Sequence, residues 1–157
     1  MLERMLRLGI IAVLLLCASV YLGAQGRQTA SASVQHSCGL TDRQFLENYA
    51  VQLESVGMYG NDYLDGNAKA SDLISAAQDA ARIVRSSAPF DPSLQLVRKY
   101  APAMFLQYAA AAQAREDKGS GAREMYLAYS IGARVQDVFR EAQPALAALG
   151  CDVSDLL

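Results

Sequence analysis

The chain has 157 residues, of which 52% are hydrophobic, and its 14 basic and 16 acidic side chains give a formal charge of −2. This length allows one domain of ordinary size, and the hydrophobic fraction is enough for a core. The near-neutral balance excludes a strongly basic nucleic-acid binder and a highly charged disordered chain.

The first 24 residues are predicted to be a targeting segment. Arg4 and Arg7 precede a run of 16 apolar or small residues from Gly9 to Ala24. As a helix this run would be about 24 Å long, shorter than the roughly 30 Å hydrocarbon core of a bilayer. The pattern is typical of a signal peptide, cleaved after Ser19 or Ala24, and an uncleaved signal anchor is the alternative. In both cases the remainder of the chain is exported.

The segment that follows, residues 25–37, consists of small and polar residues. Such a segment cannot bury enough apolar surface to offset the entropy of ordering it, so it is predicted to be a flexible polar tether. The folded domain is then expected to span residues 38–151, with residues 152–157 as a short tail.

Three cysteines lie in the chain, and one of them, Cys17, falls within the apolar run. Cys17 is either a small hydrophobe or the modified residue of a bacterial lipoprotein, although the bulky Leu16 before it disfavours lipidation. Cys38 and Cys151 remain, at the two ends of the expected domain. An even number of cysteines in an exported domain favours a disulfide between them.

The composition of the body of the chain indicates helices. From residue 25 onward there are 24 alanines but only 13 valines, isoleucines and threonines together. Alanine has the highest helix propensity, and β-branched residues favour strands. The first predicted helix starts with Thr41 as its cap, has apolar residues three and four apart (Leu46, Tyr49, Leu53, Val56), and fades between residues 60 and 66.

Three further helices follow in chain order. The second starts near Ser71 or Asp72 and ends before Pro89. The third starts at Asp91-Pro92, where aspartate caps and proline takes the first helical position, and Pro102 is expected to kink or split it. The fourth follows a turn over residues 116–121 and ends at Pro144, with a short helical piece over residues 145–149.

Four amphipathic helices with short connections predict an all-α, up-down-up-down four-helix bundle built from two helical hairpins. In this topology the start of the first helix and the end of the fourth lie at the same end of the bundle. Cys38 and Cys151 lie at those two places, so the predicted topology and the predicted disulfide agree.

The residues needed for most catalytic sites are missing from the sequence. Its single histidine, His36, lies in the predicted tether, where it cannot be held rigidly beside a nucleophile. Motifs for di-iron carboxylate sites, covalent haem attachment, zinc proteases and phosphate-binding loops are absent. No catalytic residue and no metal-binding residue is therefore assigned.

Residues 61–72 partly match a calcium-binding loop. Asn61, Asp65, Gly66 and Asp72 fall at positions 1, 5, 6 and 12 of such a loop. Tyr63 stands at position 3, where an oxygen ligand belongs, and the last ligand is an aspartate rather than the longer glutamate. A polar turn between helices, with Asp72 capping the second helix, is the alternative interpretation.

The same stretch reads Tyr63-Leu64-Asp65, followed by Asn67. It resembles the YLDxH segment of small, secreted, helical mycobacterial haemophores, a family in which the tyrosine and the histidine contribute to haem binding. Asn67 stands at the histidine position, so the resemblance makes only Tyr63 a candidate ligand-binding residue. The alternative is a tyrosine at a helix end with its hydroxyl in water.

These observations lead to one expectation and two alternatives. We expect an extracytoplasmic, envelope-associated helical module without catalytic activity, which is secreted, periplasmic or anchored to the cytoplasmic membrane and acts by contacting another protein or a second copy. The first alternative is a carrier of a small apolar or haem-like ligand between its helices. The second is an enzyme that uses tyrosine and acidic side chains alone. No cofactor is expected, with haem and calcium as the alternatives, and no nucleic acid.

Overall fold

The computed structural model describes residues 38–157, and the predicted signal segment and tether lie outside these residues. The described part is all-α, as predicted, and contains no strand. Its helices are α1 (Leu40–Leu64), α2 (Ala70–Ser86), α3 (Pro92–Glu116) and α4 (Ala122–Ala148), and a short 3-10 turn follows at Ser154–Leu156. The packing of these helices is that of a four-helix bundle. No helix within residues 38–157 combines the length and the hydropathy that a membrane crossing requires.

Side chains hydrogen-bond to backbone N–H groups at two of the helix starts, and the cap predicted at Asp91 is one of them. The Asp91 carboxylate accepts hydrogen bonds from the backbone N–H groups of Ser93 and Leu94, at 2.8 and 3.3 Å, and Pro92 is the first helical residue. The second helix starts at Ala70, before the predicted Ser71 or Asp72. Asp72 is its third residue rather than its cap, and the Asp72 carboxylate accepts from the N–H of Lys69 at 3.0 Å. The cap predicted at Thr41 is wrong, because α1 already begins at Leu40 and no side chain caps it.

Neither α3 nor α4 is interrupted by the proline that it contains. α3 continues as one helix through Pro102, so the split that was one of the two expectations does not occur. The predicted end of the fourth helix at Pro144 is wrong, because α4 continues to Ala148. A proline deprives the carbonyl four residues earlier of its partner. These carbonyls belong to Arg98 and Arg140, which are both exposed, and water can satisfy them there.

Aromatic side chains fill the centre of the bundle. Phe45 and Tyr49 from α1 meet Phe105 from α3 and Phe139 from α4, and all four are almost fully buried. The Tyr49 ring lies with its centroid 5.6 Å from that of Phe139 and 6.3 Å from that of Phe105. Rings at this spacing pack favourably beyond the area that they bury.

Consecutive helices pack closely, and the backbones of α1 and α4 approach each other less closely than those of the other neighbouring pairs. Small residues explain the close pairs. α2 presents Ala77, Ala80 and Ala81 to the core, and α3 presents Ala101 and Ala112. The gap between α1 and α4 is bridged by Tyr49 and Phe139 in the half of the bundle that holds the chain ends of the domain.

Two connections hold that end together. The sulfur atoms of Cys38 and Cys151 lie at bonding distance, and their Cα atoms are 4.6 Å apart, so the predicted pairing is present. The buried Asp42 carboxylate, in the first turn of α1, accepts from the N–H of Phe90 at 2.6 Å and of Asp91 at 3.2 Å. This end of α1 is thereby fixed both to the end of the fourth helix and to the loop between α2 and α3.

Residues 152–157, predicted to be a tail, contain a residue that belongs to the core. Val153 is 2% exposed and joins the buried cluster. The side chain of Asp152 accepts from the N–H and hydroxyl of Ser154 at 2.9 and 2.7 Å, which starts the 3-10 turn. The packed part of the domain therefore reaches beyond Cys151.

Candidate functional site

An apolar cleft opens at the end of the bundle that is opposite the disulfide. It lies between the last turns of α1 and the first turns of α4, with α3 as its floor, and has a volume of about 220 Å³. The residues that line it are Leu53, Val56, Gly57, Gly60, Asn61, Tyr63 and Leu64 from α1, Leu73 from α2, Tyr108, Ala111, Ala112 and Arg115 from α3, and Met125 and Tyr129 from α4.

Two glycines in the interior of α1 leave the cleft open. A Cβ atom added to Gly57 or Gly60 would have no neighbouring atom within 4 Å. Glycine inside a helix costs roughly 0.5–1 kcal/mol relative to alanine, and no close helix approach requires it at these two positions. Residues that lower the stability of a helix without improving its packing are typical of functional sites.

The turn between α3 and α4 fixes the other wall. Gly121 has φ of +63°, and a Cβ there would lie 2.5 Å from the carbonyl oxygen of Ala111, so only glycine fits. α4 therefore starts directly against α3, and its residues Met125 and Tyr129 reach the cleft. The cleft is wide because α1, across from them, contributes two glycines.

Tyrosines connect the core with the cleft. The Tyr108 ring lies 6.4 Å from that of Tyr129, edge to face. Burial raises the pKa of Tyr108, and the nearby Tyr129 hydroxyl adds to this rise. Burial likewise raises the pKa of Tyr49, with a further contribution from Tyr108. Both hydroxyls stay protonated near neutral pH, so they offer hydrogen-bond donors but no negative charge.

One positive charge lies at the cleft. The Arg115 guanidinium carbon is 5.3 Å from the centroid of the Tyr63 ring, a cation–π contact. The two ion pairs among residues 38–157 are Asp79–Arg82 and Asp137–Arg140, so Arg115 has no carboxylate partner there. A guanidinium at the edge of an apolar cavity favours a ligand with an anionic group.

The structure places the predicted candidate Tyr63 in the last turn of α1, half-buried, as part of the cleft wall. It does not bring Asn67 there, because Asn67 lies exposed in the turn that follows α1. The residues of the calcium-loop pattern are also dispersed. Asn61 is part of α1 rather than of a loop, and the Asp72 carboxylate is occupied by the N–H of Lys69.

Arg115, Gly57 and Gly60 were not singled out in the sequence. Leu53 belongs to the apolar face predicted for the first helix, but it is 37% exposed because it faces the cleft. The signal available in the sequence was a pair of glycines three residues apart within a periodic helix. Whether these glycines border a cleft depends on which residues of α4 lie opposite them, and the sequence of α1 alone does not show this.

A second, more open groove of about 440 Å³ lies between α1 and α2. Its walls carry Gln52, Ser55 and Asp72, and the ion pair Asp79–Arg82. Its polar side chains are exposed to water, so it offers little apolar surface to bury. The apolar cleft is therefore the better candidate site, although it is smaller.

Within residues 38–157 no group of three histidine, cysteine or acidic side chains is placed to hold a metal ion. The cleft offers apolar walls, neutral hydroxyls and one cation, which suit binding by burial and charge. Comparison with protein-family models, with curated proteins and with solved structures finds no match to this chain.

Proposed function

We propose that this protein is an extracytoplasmic binding protein for a small apolar molecule that carries an anionic group. The observation that supports the proposal is the cleft of about 220 Å³ between α1, α3 and α4, kept open by two helical glycines. Of the expectations from the sequence, this one corresponds to the carrier. A module that contacts proteins remains a prediction, and so does the absence of catalytic activity.

The size of the cleft limits the ligand. An apolar cavity of about 150 Å³ accepts a benzene ring, and pockets that enclose drug-sized ligands measure roughly 300–1,000 Å³. A cavity of 220 Å³ therefore holds one ring system or a short acyl segment. Because the cleft is open to solvent, a longer chain can extend between α1 and α4 across the exposed Leu64 and Tyr129.

The charge of the cleft defines the polar end of the ligand. Arg115 is exposed on one side, and its guanidinium packs on the Tyr63 ring. A carboxylate or sulfonate at the mouth of the cleft can pair with this guanidinium while its apolar part lies between Leu53 and Met125. A partly exposed, charge-assisted contact of this kind is worth about 1 kcal/mol, or roughly fivefold in affinity.

The extracytoplasmic location is part of the proposal. It is supported by the basic and apolar N-terminal sequence and by the Cys38–Cys151 pair, because disulfides persist in oxidising compartments. Whether the signal is cleaved decides between a secreted or periplasmic protein and one anchored to the membrane.

The test uses the chain from Gln25, the predicted product of signal cleavage. Anilinonaphthalene sulfonate serves as a fluorescent apolar anion, and dodecanoate as its competitor. We expect saturable binding, displacement by dodecanoate, and little displacement by dodecyltrimethylammonium at the same concentration. Arg115→Gln should weaken dodecanoate binding about fivefold. The control Arg134→Gln removes an exposed arginine of α4 that does not line the cleft, and it should change nothing.

A cleft-filling variant separates loss of binding from loss of folding. In Gly60→Leu the new side chain enters space in which a Cβ meets nothing, and the helix loses an unfavourable glycine. We expect binding to fall tenfold or more while the melting temperature stays equal or rises. The control Ala133→Leu adds the same side chain to the exposed face of α4. Equal binding by both variants would contradict the proposal and leave the protein-interaction module as the better prediction.

A further inference from the structure

Three large apolar side chains face solvent at the end of the bundle that is opposite the cleft, where α1 and α3 begin and α2 and α4 end. Their exposed fractions are 69% for Leu40, 76% for Phe90 and 41% for Leu149. Phe90 is the most exposed large hydrophobic side chain within residues 38–157. We call these three residues the apolar end.

The apolar end is held in place by the two connections described above. Leu40 follows Cys38 by two residues and Leu149 precedes Cys151 by two, and these cysteines have Cα atoms 4.6 Å apart. The N–H of Phe90 donates to the Asp42 carboxylate at 2.6 Å. The three exposed side chains therefore lie at the same end of the bundle, next to backbone that is fixed by a covalent bond and a buried carboxylate.

The charges around the apolar end have both signs. The carboxylates of Asp42 and Asp91 are occupied by backbone N–H groups. Arg43 and Asp152 are exposed beside it. Arginine can keep its guanidinium in water while its aliphatic part lies on an apolar surface. A partner of this surface is therefore recognised by burial of apolar area and not by its net charge.

The sequence that precedes Cys38 indicates which partner the apolar end contacts. The apolar run of residues 9–24 is joined to Cys38 by residues 25–37, thirteen residues that span at most about 45 Å. When the signal segment stays uncut in a membrane, the apolar end is the part of the bundle from which the chain leads to the bilayer. A short connection raises the effective concentration of a weak contact, so a small apolar area is sufficient.

We propose that in the uncut protein the apolar end lies in the interfacial region of the lipid bilayer, with Phe90 as its most deeply inserted side chain. The bundle then stands on the membrane, and the cleft at its other end opens away from the lipid. This inference does not depend on what the cleft binds. It concerns the contact of the folded bundle with lipid, beyond the anchoring that residues 9–24 would provide.

The absence of tryptophan from the chain allows a direct test. Phe90→Trp introduces a single reporter at the apolar end. Tyr126→Trp introduces the matched control in the second turn of α4, at a residue that is 71% exposed and lies about 35 Å along the helix from Leu149. Each full-length variant is reconstituted in phosphatidylcholine vesicles whose acyl chains carry bromine near the headgroup, which quenches tryptophan on contact.

We expect quenching of the tryptophan at position 90 to be at least three times that at position 126, with emission shifted to the blue. Adding Leu40→Ser to the Phe90→Trp chain should reduce the quenching, and adding phosphatidylglycerol should leave it unchanged. Equal quenching at both positions would overturn the proposal. Blue-shifted emission at position 90 without quenching would also overturn it, because a second copy or residues 9–24 would then cover the surface. Quenching that occurs only on vesicles with anionic lipid would also overturn the proposal, because the contact would then depend on charge rather than on apolar insertion.

Discussion

Reduction of the Cys38–Cys151 bond should destabilise the domain by several kcal/mol. The bond joins residues 113 apart in sequence, and the chain-entropy relation for a loop of that length gives about 4.8 kcal/mol at 25 °C. For a domain of about 120 residues this corresponds to a fall in melting temperature of roughly 20 °C.

The measurement is thermal unfolding followed by circular dichroism, with and without reductant. The double variant Cys38→Ala, Cys151→Ala controls for other effects of the reductant, and its melting temperature should not change when reductant is added. Two thiols that titrate before reduction, or a shift of less than about 5 °C, would contradict the calculation. A small shift with the bond demonstrably reduced would mean that the unfolded chain retains structure near its ends.

Two further predictions concern stability. Asp42→Ala leaves the N–H groups of Phe90 and Asp91 without their buried acceptor. It should lower the free energy of unfolding, measured in urea, by about 2–3 kcal/mol. The control Asp65→Ala, at an exposed residue, should lower it by less than about 0.5 kcal/mol, and equal effects of both variants would refute this role of Asp42. Because the pKa of Tyr49 is raised in the folded state, the folded protein holds this proton more tightly than the unfolded chain. The contribution of this proton to the free energy of unfolding is fully present below about pH 10. Above that pH the free energy of unfolding falls by up to about 1.4 kcal/mol per pH unit. Tyr49→Phe should reduce this slope and Tyr126→Phe should not, which urea unfolding at pH 9, 10 and 11 will measure.

The fold could be predicted from the sequence because its determinants are local. Alanine content and apolar spacing define the helices, and Asp91-Pro92 defines the start of α3. The disulfide followed from position, since Cys38 and Cys151 flank the predicted bundle. The helix end predicted at Pro144 was wrong because a proline is tolerated inside a helix where water can satisfy the carbonyl that it frees, and both Pro144 and Arg140 are exposed.

The cleft could not be predicted in the same way. It arises where Gly57 and Gly60 of α1 lie opposite Met125 and Tyr129 of α4. These residues are more than 60 positions apart in sequence, and the width of the gap depends on side-chain sizes on both helices. Tyr63 was selected because of a resemblance to haemophores, and it lies in the cleft wall for another reason, its place in the last turn of α1.

The proposed binding site is tested most directly by native mass spectrometry of the chain purified from an extracytoplasmic fraction without detergent. We predict that a molecule under about 500 Da, anionic and apolar, stays bound to the wild-type protein. It should be absent from Gly60→Leu and present in Ala133→Leu. A wild-type protein that carries nothing and takes up no dodecanoate, or a bound species that Gly60→Leu retains, would contradict the account.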